Sequence, residues 1–97
     1  VIERTHSGLR VNAPMVIANA RILLETGRSA LPAAAQSEPA VLDLAAVSEV
    51  DSSALSLVLA WLRTAGERGV SLRIANPPAS LTSLATLYGI SELLPLV

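Results

Sequence analysis

The spacing of apolar residues divides the chain into alternating extended and helical segments. Residues 2–5 and 8–12 read as two short strands, with His6-Ser7-Gly8 as the tight turn between them. Ala13-Pro14 breaks that pattern. Ile17, Ala20, Leu23, Leu24, Gly27 and Leu31 then fall at helical spacing, which predicts a first helix over residues 19–31, stopped by Pro32. A loop containing Ser, Glu and Pro follows over residues 33–39. Residues 40–44 are apolar at nearly every position, as in a central strand covered on both sides by neighbours. A second helix is predicted over residues 53–67, with Gly66 and Gly69 near its end. Residues 71–75 alternate polar and apolar, a strand with one wetter face. Asn76-Pro77-Pro78 opens a third helix whose buried stripe is Leu81, Leu84, Ala85 and Tyr88. Gly89 suits a left-handed cap, with Ile90 folding back on Leu84 or Ala85. No element is assigned to residues 93–97. Strands alternating with helices predict one α/β domain over residues 1–97 with a mixed sheet. The polar Ser71 and Arg73 face needs no cover, so the helices are expected mainly on one side.

The second helix carries apolar residues on more than one arc. At 100° per residue, Leu55, Val58, Leu59, Leu62 and Ala65 form an arc expected to face the core. Ser53, Leu57, Ala60, Trp61 and Thr64 fall on a second arc, read as outward-facing, with Ser56, Arg63 and Glu67 beside it. A merely solvated face would be polar throughout. Leu57 and Trp61 therefore point to a protein-binding stripe, since Trp is a frequent interface anchor. The same stripe could pair two copies of the chain.

Composition narrows the functions available. The 97 residues include no Cys, and His6 is the only histidine, which removes disulfides, thiolate chemistry and a histidine metal cluster. Net charge is −1 with no basic cluster in the sequence, and aromatics are 2% of the chain, so nucleic-acid binding is not expected. Residues 1–10 lack an apolar leader core, and the longest apolar run is too short to span a bilayer, so direct membrane insertion is not expected either. No paired carboxylates, no Ser-His-Asp set and no glycine-rich phosphate loop are legible, and no catalytic residue, metal or cofactor is assigned. Arg21, Arg28 and Arg63 read as solvated helix positions.

What stands out chemically is Asp51-Ser52-Ser53, at the junction between the central strand region and the second helix. A hydroxyl there meets unpaired backbone N–H groups and the positive end of the helix dipole. Ser is a preferred helix cap, and Asp51 could serve equally. The alternative is a site where Ser52 accepts a phosphate, adding about two negative charges.

The sequence Val41-Leu42-Asp43-Leu44, then Val50-Asp51-Ser52-Ser53-Ala54-Leu55, then Leu72-Arg73-Ile74-Ala75-Asn76 resembles the STAS domain family of anti-anti-sigma factors and sulfate transporters. That family usually has Gly where this chain has Ala54. Trp61-Leu62-Arg63, Asn76-Pro77-Pro78-Ala79-Ser80-Leu81 and the Leu84-to-Pro95 segment are similar, more narrowly, to MlaB-type STAS subunits of phospholipid ABC transporters that maintain outer-membrane lipid asymmetry. The resemblance implies a cytoplasmic, non-enzymatic subunit, peripheral to the inner membrane through its partner, the transporter ATPase. Asp51, Ser52, Ser53, Ser56, Leu57, Ala60, Trp61 and Thr64 would form the docking site. The alternative it implies is an anti-anti-sigma factor whose Ser52 is phosphorylated by an anti-sigma kinase.

Overall fold

The computed structural model describes residues 1–34 and 36–97. The strands are β1 (Ile2–Arg4), β2 (Gly8–Val11), β3 (Ala40–Asp43) and β4 (Leu72–Ala75), and the helices α1 (Ala20–Ala30), α2 (Ser53–Glu67) and α3 (Ala79–Leu87). A 3-10 turn at Ile17–Asn19 leads into α1, and another at Ser91–Leu93 follows α3. The sheet runs β1-β2-β3-β4. The β1–β2 hairpin is antiparallel, while β2–β3 and β3–β4 are parallel, so the sheet is mixed, as expected.

Register follows from period-two alternation. Leu9, Leu42 and Ile74 pair across β2, β3 and β4 and are fully buried with Val11 and Leu44. Arg10 and Asp43 pair on the opposite face, where Arg73 is also exposed. Gly8 opposes Val41, and a Cβ there would collide with the Val41 backbone, so glycine permits the close approach of β2 to β3. Residues 95–97 lie along the outer edge of β4 through Ile74 N–H to Pro95 O (2.9 Å) and Val97 N–H to Ile74 O (2.9 Å), covering backbone groups that an edge strand would otherwise expose.

Both α2 and α3 end in the same way. Gly69 and Gly89 adopt φ of 71°. The next residue's N–H bonds back to a helix carbonyl: Val70 to Ala65 (2.8 Å) and Ile90 to Ala85 (2.9 Å). These are Schellman closures, which satisfy carbonyls the helix leaves unpaired and fold an apolar residue onto the core. Asn76, with φ of 54°, makes a further left-handed turn, and its amide donates to Asp43 Oδ1 (3.1 Å).

One expectation for α2 is overturned. Trp61 is 0% exposed, Leu57 3% and Thr64 8%; none of them faces outward. The cause is α1, which packs along the flank of α2 while the sheet takes the adjacent side. The indole lies against Gly27, and its Nε1 donates to the Leu24 carbonyl (3.2 Å), so the ring's polar atom is satisfied inside the core. The apolar arc of α2 is wide because this helix is covered from two directions. Tyr88, expected in the buried stripe of α3, is instead 57% exposed, because it is the residue at which α3 ends.

Candidate functional site

Isolated parallel pairing of Met15 with Val50 brings the segment before α1 against the segment before α2. It places Asp51 between them. Its Oδ2 accepts from the Ile17 N–H (2.9 Å), and its Oδ1 accepts from the Ser53 N–H (2.9 Å) and the Ser53 hydroxyl. One carboxylate thus holds the first turn of α2 and staples it to the entry of α1. The Ser53 hydroxyl, then the Ile17 N–H, hold the Asp51 carboxyl below the usual carboxylate range, against a smaller opposing effect of desolvation.

This arrangement divides the two serines. Ser53 spends its hydroxyl on Asp51. Ser52 is exposed, in helical backbone conformation (φ −62°, ψ −21°), and its side chain makes no capping hydrogen bond. Capping therefore belongs to Asp51, and the Ser52 hydroxyl is left facing solvent.

The surface beside it is a shallow groove of about 600 Å³ lined by Ile17, Asp51, Ser52, Ser53, Leu55, Ser56, Leu59, Tyr88 and Ile90. The outward stripe of α2 runs through Ser52, Ser56, Leu59, Ala60 and Arg63. Of the expected docking residues, Asp51, Ser52, Ser53 and Ser56 converge on this groove, and Ala60 is half-buried on the same face. Leu57, Trp61 and Thr64 do not reach it. Ile17, Leu59, Tyr88 and Ile90 were not anticipated. Ile17, on the first helical stripe by spacing, is 74% exposed because it precedes α1 in a separate turn. The signal for the true outer face lay in the wheel: Ser52, Ser56, Ala60, Arg63 and Glu67 share an 80° arc at 100° per residue, and that arc is the polar one.

A second polar cluster sits on the open sheet face. Arg10 Nε pairs with Asp43 Oδ2 (3.2 Å), and Asp43 Oδ1 accepts from the Ala45 N–H (2.9 Å) and from Asn76. The Ala45 N–H, then the Asn76 amide, and then Arg10 hold this carboxyl below its usual range. Its partners come from β2 and from the residues just after β3 and β4, so it ties strand ends together.

The model of the family described as "Mlab, STAS domain" matches residues 2–95. The chain belongs to the MlaB-type STAS domain family. No curated protein sequence matches it. Among solved structures, this STAS domain is similar to a Thermotoga maritima protein described as a candidate anti-sigma factor antagonist, with 15% identity, a TM-score of 0.67, and coverage of 99% of this chain and 83% of that one. At that identity the likeness establishes the fold. In the STAS domain, the Asp-Ser junction and the start of α2 occupy the end of the molecule where β3 hands over to its helix, and among the described residues no helix is long and apolar enough to cross a membrane.

Proposed function

We propose that this STAS domain is a non-enzymatic binding subunit that docks, through the groove around Ser52 and the outward stripe of α2, on the ATPase of a phospholipid ABC transporter. The observation that carries the reading is the exposed Ser52, unused in capping and set beside an apolar groove. Leu59, Tyr88 and Ile90 offer surface whose burial against a partner is favourable, and Ser52 and Ser56 supply hydroxyls that fix register at its rim. The family match over nearly the whole chain supports the transporter as partner. In this role the domain is cytoplasmic, held at the inner membrane by its partner, and needs no cofactor.

The second reading is an anti-anti-sigma factor. It is favoured by the solvent-facing Ser52 hydroxyl, which has room for a phosphate, and by the description of the similar Thermotoga protein. Phosphate there would add charge beside the fixed Asp51 carboxylate and oppose docking of an apolar surface.

Affinity capture from the native cell, with wild-type protein and Leu59→Asp side by side, tests both. An ABC ATPase retained by wild type and lost with Leu59→Asp supports the first reading. A histidine-kinase-like anti-sigma factor lost in the same way supports the second. Equal retention of the partner by both proteins would remove the groove as the docking surface.

A further inference from the structure

A cavity of about 590 Å³ lies at the opposite end of α2, between the β1–β2 turn, the C-terminal end of α1, the start of β3 and Arg68. Its lining includes Arg4, Arg28, Arg68 and His6, and no Asp or Glu among the described residues. The whole chain has 7 basic and 8 acidic side chains, so this is a strong local departure from charge balance.

Two of the guanidinium groups are held in place. Arg4 Nη2 donates to the Ser29 carbonyl (2.9 Å). Arg68 Nη1 donates to the carbonyls of Arg28 (3.0 Å) and Leu31 (3.3 Å). Each guanidinium has five N–H donors, so both keep donors to spare. Ion pairs among the described residues engage Arg10 and Arg21 only, not these three.

Complementing the C-terminal dipole of α1 does not account for the cluster. That dipole end amounts to roughly half a negative charge, and one arginine offsets it. Three leave the cavity strongly positive. Arg28 in particular directs no side-chain hydrogen bond to those carbonyls. Thr5 and Ser7 add hydroxyls, while Leu31, Pro32 and Ala40 supply an apolar wall. Arginine forks match phosphate oxygens in geometry and charge, and the volume falls within the ~300–1,000 Å³ usual for small-ligand sites.

We propose that this cavity binds the phosphate group of a small phosphate ester or phospholipid headgroup, with the ester's organic part against the Leu31-Pro32 wall. The site is independent of the docking groove, and either assignment can fail without the other.

The test is a backbone-amide NMR titration of the intact domain with sn-glycerol 3-phosphate. Saturable shifts are expected at Thr5, Ser7, Gly8 and Ser29. Arg28→Gln should weaken the affinity by about tenfold or more, as for loss of a charge-assisted contact. Arg21→Gln, which removes the same charge from the exposed side of α1, should leave it unchanged. Absence of saturation at millimolar ligand, or equal weakening by both variants, would overturn the proposal. Co-sedimentation with phosphatidylglycerol vesicles separates the sources. Vesicle binding that glycerol phosphate displaces assigns a lipid headgroup, and soluble binding without vesicle binding assigns a free ester. Vesicle binding indifferent to Arg28→Gln would also overturn the cavity as the site.

Discussion

Gly27→Ala should destabilise this domain, although alanine is the better helix former. In an ordinary helix interior the exchange gains about 1 kcal/mol. Here the added Cβ would lie 2.7 Å from Trp61 Cζ2 and closer still to Nε1 and Cε2. Carbon contacts are comfortable at about 3.5–4.0 Å, so indole or helix must move by roughly an ångström. Trp61 has nowhere to go: it is wholly buried, and its Nε1 is bonded to Leu24 O. Overpacking of this kind costs about 1–3 kcal/mol, and losing the indole bond adds about 1–3 kcal/mol for a stranded donor. The net expectation is a loss of about 2 kcal/mol, or a Tm fall of roughly 10 °C for a chain of this size. The decisive measurement is a double-mutant cycle by urea unfolding, followed by far-UV circular dichroism so that loss of the tryptophan does not remove the signal. In a Trp61→Leu background the steric conflict is gone, and Gly27→Ala should become neutral or stabilising. A coupling energy of about 2–3 kcal/mol is expected. A stabilising effect of Gly27→Ala in the wild-type background, or the same effect in both, would refute the wedge.

Ser52→Asp should weaken partner binding while leaving the Tm within a few degrees. Ser53→Asp should lower the Tm instead, because it sets a second carboxylate against Asp51; equal effects on binding from the two would point to the wrong serine. Hydrogen bonds from the Ala45 N–H and the Asn76 amide to Asp43, and from the Ser53 hydroxyl and the Ile17 N–H to Asp51, hold both carboxyls below the usual carboxylate range, so each contributes stability that is complete above that range and lost as the pH falls through the lower folded-state value. Urea midpoints measured as the pH is lowered from 6 to 2.5 should therefore fall less steeply in Asp51→Asn than in wild type, and parallel curves would discount the carboxylate staple. Gly89→Ala places a side chain on a residue with φ of 71° and should cost about 1 kcal/mol in chemical unfolding. No loss there would mean that the α3 closure tolerates another conformation.

The hydrophobic pattern located β2, β3 and β4 because alternate residues of each are buried, while β1, with no buried residue, was placed by the turn that joins it to β2. The second helix was legible to its ends, since an Asp-Ser junction opens it and glycine closes it. Which side of that helix faces outward was marked by its polar arc, but the apolar residues of a second arc obscured it. Leu57 and Trp61 look like surplus apolar residues when α2 is set against the sheet alone. Their burial depends on α1, placed by a long-range contact through Gly27 that no local period encodes. The division of labour among Asp51, Ser52 and Ser53 was likewise hidden, because it turns on the Ile17 N–H, distant in sequence. Ile17, Leu59, Tyr88 and Ile90 come together only through tertiary packing, as do the arginines of the cavity, scattered over three elements and their turns.

The length of α2 sets how far the two ends of the domain can sense one another. Its 15 residues, at 1.5 Å of rise each, span about 22 Å. Physiological salt screens exposed charges over about 8 Å. An anion held among Arg4, Arg28 and Arg68 would therefore contribute little to the potential at Ser52. Lateral movement of the helix offers no easy substitute, because the Trp61–Gly27 wedge fixes α2 against α1. Occupancy at one end should leave affinity at the other nearly unchanged. If both sites are occupied as proposed, the domain would act as a rigid spacer that holds two partners at once without making either conditional on the other.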